Sequence, residues 1–237
     1  MKIIKHLIEF NKLYLVWQAD RDPNRLRYIV AELIRSEDVV VLKYLKNTDD
    51  FKKAKSFGFE NHPAFTLEQE IHSNGVLETL MLRLPPRKRG DFPKYLELLR
   101  LPADREISGK ISDFSLLAYS GAKLPGDGFS IAPYFDNLNF PFEFLIEVAG
   151  FRHVSGAPLE KIELNSAVTF EPDINNKIDP NAISILLNGQ KIGYIPRVLT
   201  SQFHTWITKG NIRGSIEKKN GSFEKPVLYL FIEFTPK

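Results

Sequence analysis

The residues best equipped for chemistry lie in one run of the chain, Phe142 to Arg197, which reads FEFLIEVAGFRHVSG and later FEPDINNKIDPNAISILLNGQKIGYIPR. A strand closes on Gly150-Phe151-Arg152-His153, and a second empties into a loop of Asx residues and proline from Asp173 to Asn181. Two more strands flank Asn188-Gly189, a pair suited to a two-residue hairpin turn. Guanidinium, imidazole, carboxamide, carboxylate and phenol groups therefore crowd one rim of a small β structure. Such groups hold a polar ligand by hydrogen bonds and charge.

Spacings that signal catalysis are missing. The chain has no cysteine, so it carries no disulfide, thiolate nucleophile or thiolate metal cage. His6, His62, His72, His153 and His204 form neither HxxxH nor HExxH, and no metal or other cofactor is expected. There is no GxxxxGKS phosphate loop and no catalytic-loop HxD. Ser, His and Asp are scattered, and Asp49-Asp50 is explained by charge at the start of a helix. The chain is expected not to be an enzyme.

Bulk properties narrow the partner. Of 237 residues, 43% are apolar and 12% aromatic, enough for real cores in one large or two small domains. No stretch approaches the ~20 apolar residues of a membrane span, and the N-terminus lacks a signal-peptide pattern, so a cytoplasmic protein is expected. The net charge is only +3. Nucleic-acid binding would then need a local patch or an end-capping site with a short footprint.

These side chains must be positioned by an α+β, mainly β chain. In the N-terminal part, alternating segments Lys12–Gln18 and Leu26–Ile34 flank a turn-rich stretch, residues 20–24, and a third apolar run covers Val39–Leu45. A helix is expected over Asp49–Ser56, capped by Thr48 or an Asp and closed by Gly58. Leu77–Leu84 reads as a strand, ended by Pro85-Pro86. A short helix from about Asp91 turns Tyr95, Leu96, Leu98 and Leu99 inward. Another follows Ser112 as N-cap, with Phe114, Leu117 and Ala118 as its stripe and Gly121 past its end. A strand follows at Phe129–Ala132.

Residues 134–141 are the expected linker, separating a mixed α/β domain at 1–136 from a second domain at 142–237. There the pattern is mostly period two: Phe144–Val148, Ala167–Phe170, Ala182–Leu187, Lys191–Ile195, Ile212–Glu217 and Pro226–Phe234, with a helix near Arg197–Trp206. Six strands in under a hundred residues suit a small, nearly closed antiparallel barrel.

The AGFRH turn, EPDINNKIDPNAI and GYIPR, in that order and spacing, resemble the HIRAN domain of repair and fork-remodelling helicases and of bacterial proteins. The resemblance covers about 142–237. It implies an OB-like barrel that captures the 3′ end of single-stranded DNA. By position it implies that Arg152 and His153 hold terminal nucleotides, that Asn176 and Asp179 lie at the DNA end, that Tyr194 and Arg197 sit on the strand-to-helix edge, and that Phe223 falls near a stacking aromatic. Asp179 could accept a hydrogen bond from a 3′-hydroxyl and repel a 3′-phosphate. Arg152 and Arg197 suit phosphates, and His153, Tyr194 and Phe223 offer rings to bases. Val154 stands where the helicases carry tyrosine. Asp173, Asn175, Asn176 and Asp179 also fit a loop that merely satisfies its own backbone.

In the N-terminal half, SDFSLLAYSGAKLPGDGFSIAP resembles the end of the N-terminal subdomain of HipA-type toxin kinases and the separate HipS-type proteins. Asp113, Phe114, Leu116, Leu117, Gly121, Asp127, Gly128 and Pro133 carry the likeness. It implies a docking module without a kinase body, and hence an alternative in which the chain restrains a separately encoded HipA-like kinase in a toxin-antitoxin system. Upstream, Arg83, Arg87, Lys88 and Arg89 form a basic cluster suited to DNA phosphates, to an acidic partner, or simply to solvent.

Overall fold

The computed structural model describes the chain except residues 20, 21, 23, 24, 38, 137, 138, 155–158 and 223. It divides into two compact units, Ile8–Asp136 and a second made of Met1–Leu7 with residues 137–237. Sequence reasoning had counted the first seven residues with the N-terminal domain. They belong to the other unit through polar anchors: the Lys2 amide donates to Glu217, its ammonium pairs with Glu233 at 2.8 Å, and the Lys5 and His6 amides both donate to Glu143.

In the Ile8–Asp136 unit, strands β1 (Lys12–Gln18), β2 (Arg27–Ser36), β3 (Val39–Tyr44), β4 (Ile71–His72) and β5 (Phe129–Pro133) form an antiparallel sheet in the order β4-β3-β2-β1-β5. Alternation sends Leu13 and Leu15 of β1 and Tyr28 and Val30 of β2 into the core, and the bulge opposite Leu15/Val16 shifts the phase of β2 so that Ala31 and Leu33 are buried too. Helix α1 (Asp49–Ser56) is capped by the Thr48 hydroxyl, which accepts from the Phe51 amide, and Asp49 and Asp50 occupy its positive end.

Helices α2 (Val76–Met81), α3 (Phe92–Leu98), α4 (Arg105–Ser108) and α5 (Asp113–Ser120) follow. The segment expected as a strand at Leu77–Leu84 is α2. Its buried residues, Val76, Leu80 and then Leu84, recur every four positions, a helical spacing, while Leu82 is exposed. In α3 the inward residues are Phe92 and Leu96, and Leu98 faces out. Helix α5 begins where Ser112 accepts from the Ser115 amide and ends at Gly121 in the left-handed region, φ +71°. Its consecutive residues Phe114 to Tyr119 are all buried.

In the second unit, β6 (Phe142–Glu147), β7 (Ala167–Pro172), β8 (Ile183–Leu187), β9 (Gln190–Tyr194), β10 (Gly210–Gly221) and β11 (Pro226–Pro236) form a six-stranded antiparallel sheet ordered β6-β11-β10-β7-β8-β9. The strand ladder is open, and β6 and β9 are its two edges. Among the described residues they meet at an isolated bridge just past β6, where Ala149 and Tyr194 exchange backbone hydrogen bonds of 2.9 and 2.8 Å. β8 and β9 are joined by Asn188-Gly189, both at positive φ, the two-residue hairpin geometry their side chains favour.

Short helices complete the unit. α6 (Phe151–Val154) forms one turn directly after Gly150, where the sequence suggested only a turn. A 3-10 turn at Arg197–Leu199 leads into α7 (Thr200–Lys209). Phe142, Phe170, Phe203, Trp206 and Phe234 make a ring cluster with centroids 4.9 to 6.0 Å apart, which fastens α7 to the sheet.

Candidate nucleic-acid interface

One end of the second unit holds several of the sequence-selected side chains: Arg152, His153 and Tyr194, with Asn176 and Asp179 in the loop after β7. The gathering begins at Gly193, where a Cβ would lie 2.4 Å from Val148 Cγ1 and 2.7 Å from the Ala149 carbonyl oxygen. Only glycine lets the edge strands approach this closely. The Ala149–Tyr194 bridge formed there sets α6, with Arg152 and His153, beside Tyr194: a Cβ on Gly150 would be 3.5 Å from the tyrosine ring. Phe151 is buried and anchors α6, leaving Arg152 and His153 exposed. Arg152 Nε donates to His153 Nε2 at 2.9 Å.

The loop after β7 is ordered by its own Asx side chains. The Asn176 side-chain oxygen accepts from the Ile178 and Asp179 amides, both at 3.0 Å, and Asp179 Oδ1 accepts from the Asn181 amide at 3.0 Å. Asp173 and Ala182 close the loop mouth with a backbone bond, and the Asn181 carbonyl is bonded to His204 of α7. Asn176 and Asp179 thus shape the loop with one oxygen each, while the loop lifts Ile174 and Ile178 into solvent.

A second layer joins this loop to the tyrosine. Register places Ser184 of β8 between Glu171 of β7 and Tyr194 of β9. Asp173 Oδ2 takes Lys191 Nζ at 2.7 Å, with Ser184 Oγ and Asn176 Nδ2 each at 3.4 Å. Lys191 Nζ also donates to the Tyr194 hydroxyl at 3.3 Å and lies 5.0 Å from its ring centroid. The Lys191 ammonium holds the Asp173 carboxyl below the usual carboxylate range, and the carboxylate raises the Lys191 pKa in turn. Sequence reasoning did not single out Lys191, and it gave Asp173 a turn role. Lys191 is three residues before Tyr194, a spacing that crosses faces in a regular strand; the bulge at Ile185/Leu186 brings the two together.

Arg197 follows β9 in the 3-10 turn, and its carbonyl accepts from the Thr200 hydroxyl at 2.9 Å. Phe223 lies outside the described residues. The basic cluster Arg83, Arg87, Lys88 and Arg89 lies in the Ile8–Asp136 unit, mostly in internal pairs. Arg83 grips Asp127 through two nitrogens at 2.6 and 3.1 Å and donates to the Ala122 and Phe129 carbonyls. Arg87 pairs with Asp113 and donates to the Ser108 and Ile111 carbonyls, and Arg89 pairs with Asp91. Lys88 is exposed. Among the described residues no group of three or more His, Cys, Asp or Glu side chains could hold a metal ion.

The fold and rim define a small antiparallel β domain with a glycine-enabled edge contact and an Asx-ordered loop. Residues 141–224 match the HIRAN domain. Two solved structures are similar over part of the chain. One is the HIRAN domain of human HLTF, 23% identical, covering 40% of this chain and 76% of that one at a TM-score of 0.32. The other is a protein from Lactobacillus plantarum, 24% identical, covering 38% of this chain and 91% of that one, also at 0.32. No curated protein matches. The HIRAN match does not reach the Ile8–Asp136 unit, whose likeness to HipA-type subdomains rests on its sequence motif alone. There Asp113 and Asp127 serve as the internal partners of Arg87 and Arg83. No helix among the described residues is long and apolar enough to cross a membrane.

Proposed function

We propose that the HIRAN domain of this chain binds DNA without catalysis, gripping the 3′ end of a single strand at the rim built by α6, the 173–182 loop and the end of β9. The observation that carries this reading is the bridge at Ala149–Tyr194, which brings the turn bearing Arg152 and His153 against β9 at Tyr194, within a matched HIRAN domain. Cations suit phosphates, rings suit bases, and a preformed Asx loop suits a terminal hydroxyl. The sheet whose two edges touch at that bridge is read as an OB-like barrel. Near-neutral net charge favours a short end site over a long groove.

Fluorescence anisotropy with labelled oligonucleotides tests the reading. The full chain is expected to bind a 3′-hydroxyl strand more tightly than a 3′-phosphate strand or one with no free 3′ end, and Arg152→Ala and Asp179→Ala are each expected to weaken that binding. Equal affinity for all three ligands would refute end recognition.

A further inference from the structure

Asp173 is the hub of the polar layer under the rim. Its Oδ2 is the shared acceptor for Lys191, Ser184 and Asn176, and so connects β9, β8 and the loop through one atom. Lys191 is the cation nearest the Tyr194 hydroxyl in that layer, yet its ammonium is committed to the carboxylate at 2.7 Å. The pair is part-exposed, with side chains 34% and 17% accessible, so the ammonium sits where an incoming phosphate could compete for it. An exposed pair is worth little in absolute terms, so the discrimination it gives is of the size of one exposed charge contact.

We infer, resting on the DNA-end reading above, that Asp173 is a positioning and selectivity residue of the rim. By holding Lys191 against Tyr194, it withholds that ammonium from a terminal phosphate and favours a strand ending in a hydroxyl. The carboxylate acts by neutralising the lysine, so the second charge that a 3′-phosphate brings finds no free cation there. Asn176 shares the same oxygen, so the lock that restrains the lysine also fixes the loop at the strand terminus.

Asp173→Asn tests this, since it keeps the size of the side chain and the bond to Ser184 while removing the charge. Anisotropy against matched 3′-hydroxyl and 3′-phosphate oligonucleotides is expected to show the 3′-phosphate affinity rising about fivefold relative to the 3′-hydroxyl one, the size of one exposed charge contact. The salt dependence for the 3′-phosphate strand should steepen by about 0.7 in log-log slope, one added contact on a single strand. In Asp173→Asn/Lys191→Gln the freed ammonium is gone, and the end ratio should return to the wild-type value. Thermal melting of both variants confirms that they fold.

A purely structural Asp173 would lower both affinities together and leave the ratio and slope unchanged, which overturns the inference. So would a double variant that keeps the gain. A wild-type chain with no preference for free 3′ ends overturns the parent reading instead, and the two failures are read from different samples.

Discussion

Ala149 and Tyr194 exchange two backbone hydrogen bonds, and Gly193 makes the exchange feasible by bringing β9 against the end of β6 without a side chain between them. This contact is where backbone geometry and candidate site depend on the same residue. A change at Gly193 should therefore register in stability and in binding at once.

Gly193→Ala is expected to cost roughly 2–4 kcal/mol, because the added methyl meets a carbonyl oxygen that belongs to the bridge itself and cannot rotate away. Gly189→Ala provides the comparison: it has positive φ but open space, and should cost only about 1 kcal/mol. Urea denaturation compares them. Equal costs would show that crowding at Val148 and Ala149 is not what selects glycine.

Arg83→Ala or Asp127→Asn should destabilise the Ile8–Asp136 unit by about 3 kcal/mol, since the Arg83 side chain is only 8% exposed and feeds two carbonyls besides the carboxylate. Arg83→Lys should recover little, because an ammonium cannot make the bidentate grip. Arg89→Ala removes an exposed pair and should leave the melting temperature unchanged. If Arg83→Ala instead left stability intact and weakened DNA binding, the arginine would be a surface ligand.

His62 gives the chain a pH-dependent stability. It is buried between Phe65 and Phe129, and desolvation, aided by the Arg83 charge, pushes its pKa down to about 4. An unfolded chain takes up this proton near the ordinary value of 6.5, so between pH 6.5 and 4 the unfolded state binds more protons. Stability must then fall as pH falls through that window, by about 2 to 3 kcal/mol in all from this residue. Urea titrations from pH 7 to 5, before most carboxylates titrate, should show the slope, and His62→Gln should flatten it.

Asn176→Ala leaves the Ile178 and Asp179 amides without their acceptor and should cost about 1 kcal/mol of loop order. Asn176→Asp keeps the acceptor and adds charge. If loop shape is what matters, 3′-hydroxyl binding falls about fivefold in the alanine variant and is largely kept in the aspartate variant. A loss confined to Asn176→Asp would make charge the controlling term.

Much of the fold was legible because it was written locally. Thr48, one of the cap candidates, caps α1, Ser112 caps α5 as expected, Gly121 ends α5, and Asn188-Gly189 turns its hairpin, each through groups within a few residues of one another. The α2 segment misled because VLETLMLRL alternates well enough to imitate a strand, while Gly75 offers no side chain to announce a helix start. The deciding signal was the four-residue spacing of Val76, Leu80 and Leu84.

The candidate site was legible by residue type and less so by role. Arg152, His153 and Tyr194 come together through a bridge between residues 45 positions apart, which no local pattern encodes. Arg83 and Arg87, on either side of Pro85-Pro86, read as charge for DNA phosphates, an acidic partner or solvent, because their internal partners, Asp127 and Asp113, lie 44 and 26 residues downstream. Lys191 was hidden by the bulge that turns it toward Tyr194.

The pairing of Met1–Leu7 with the second unit makes the Ile8–Asp136 unit an insertion within its neighbour. Its entrance and exit lie side by side, with the Phe10 and Phe135 rings 5.4 Å apart and the Tyr134 amide bonded to the Lys12 carbonyl. An insert whose ends meet can be cut out and replaced by a few flexible residues without parting the host's two pieces. The DNA-end candidate is therefore best isolated by excision, since trimming the chain from its start would strip Glu217 and Glu143 of the amides that satisfy them.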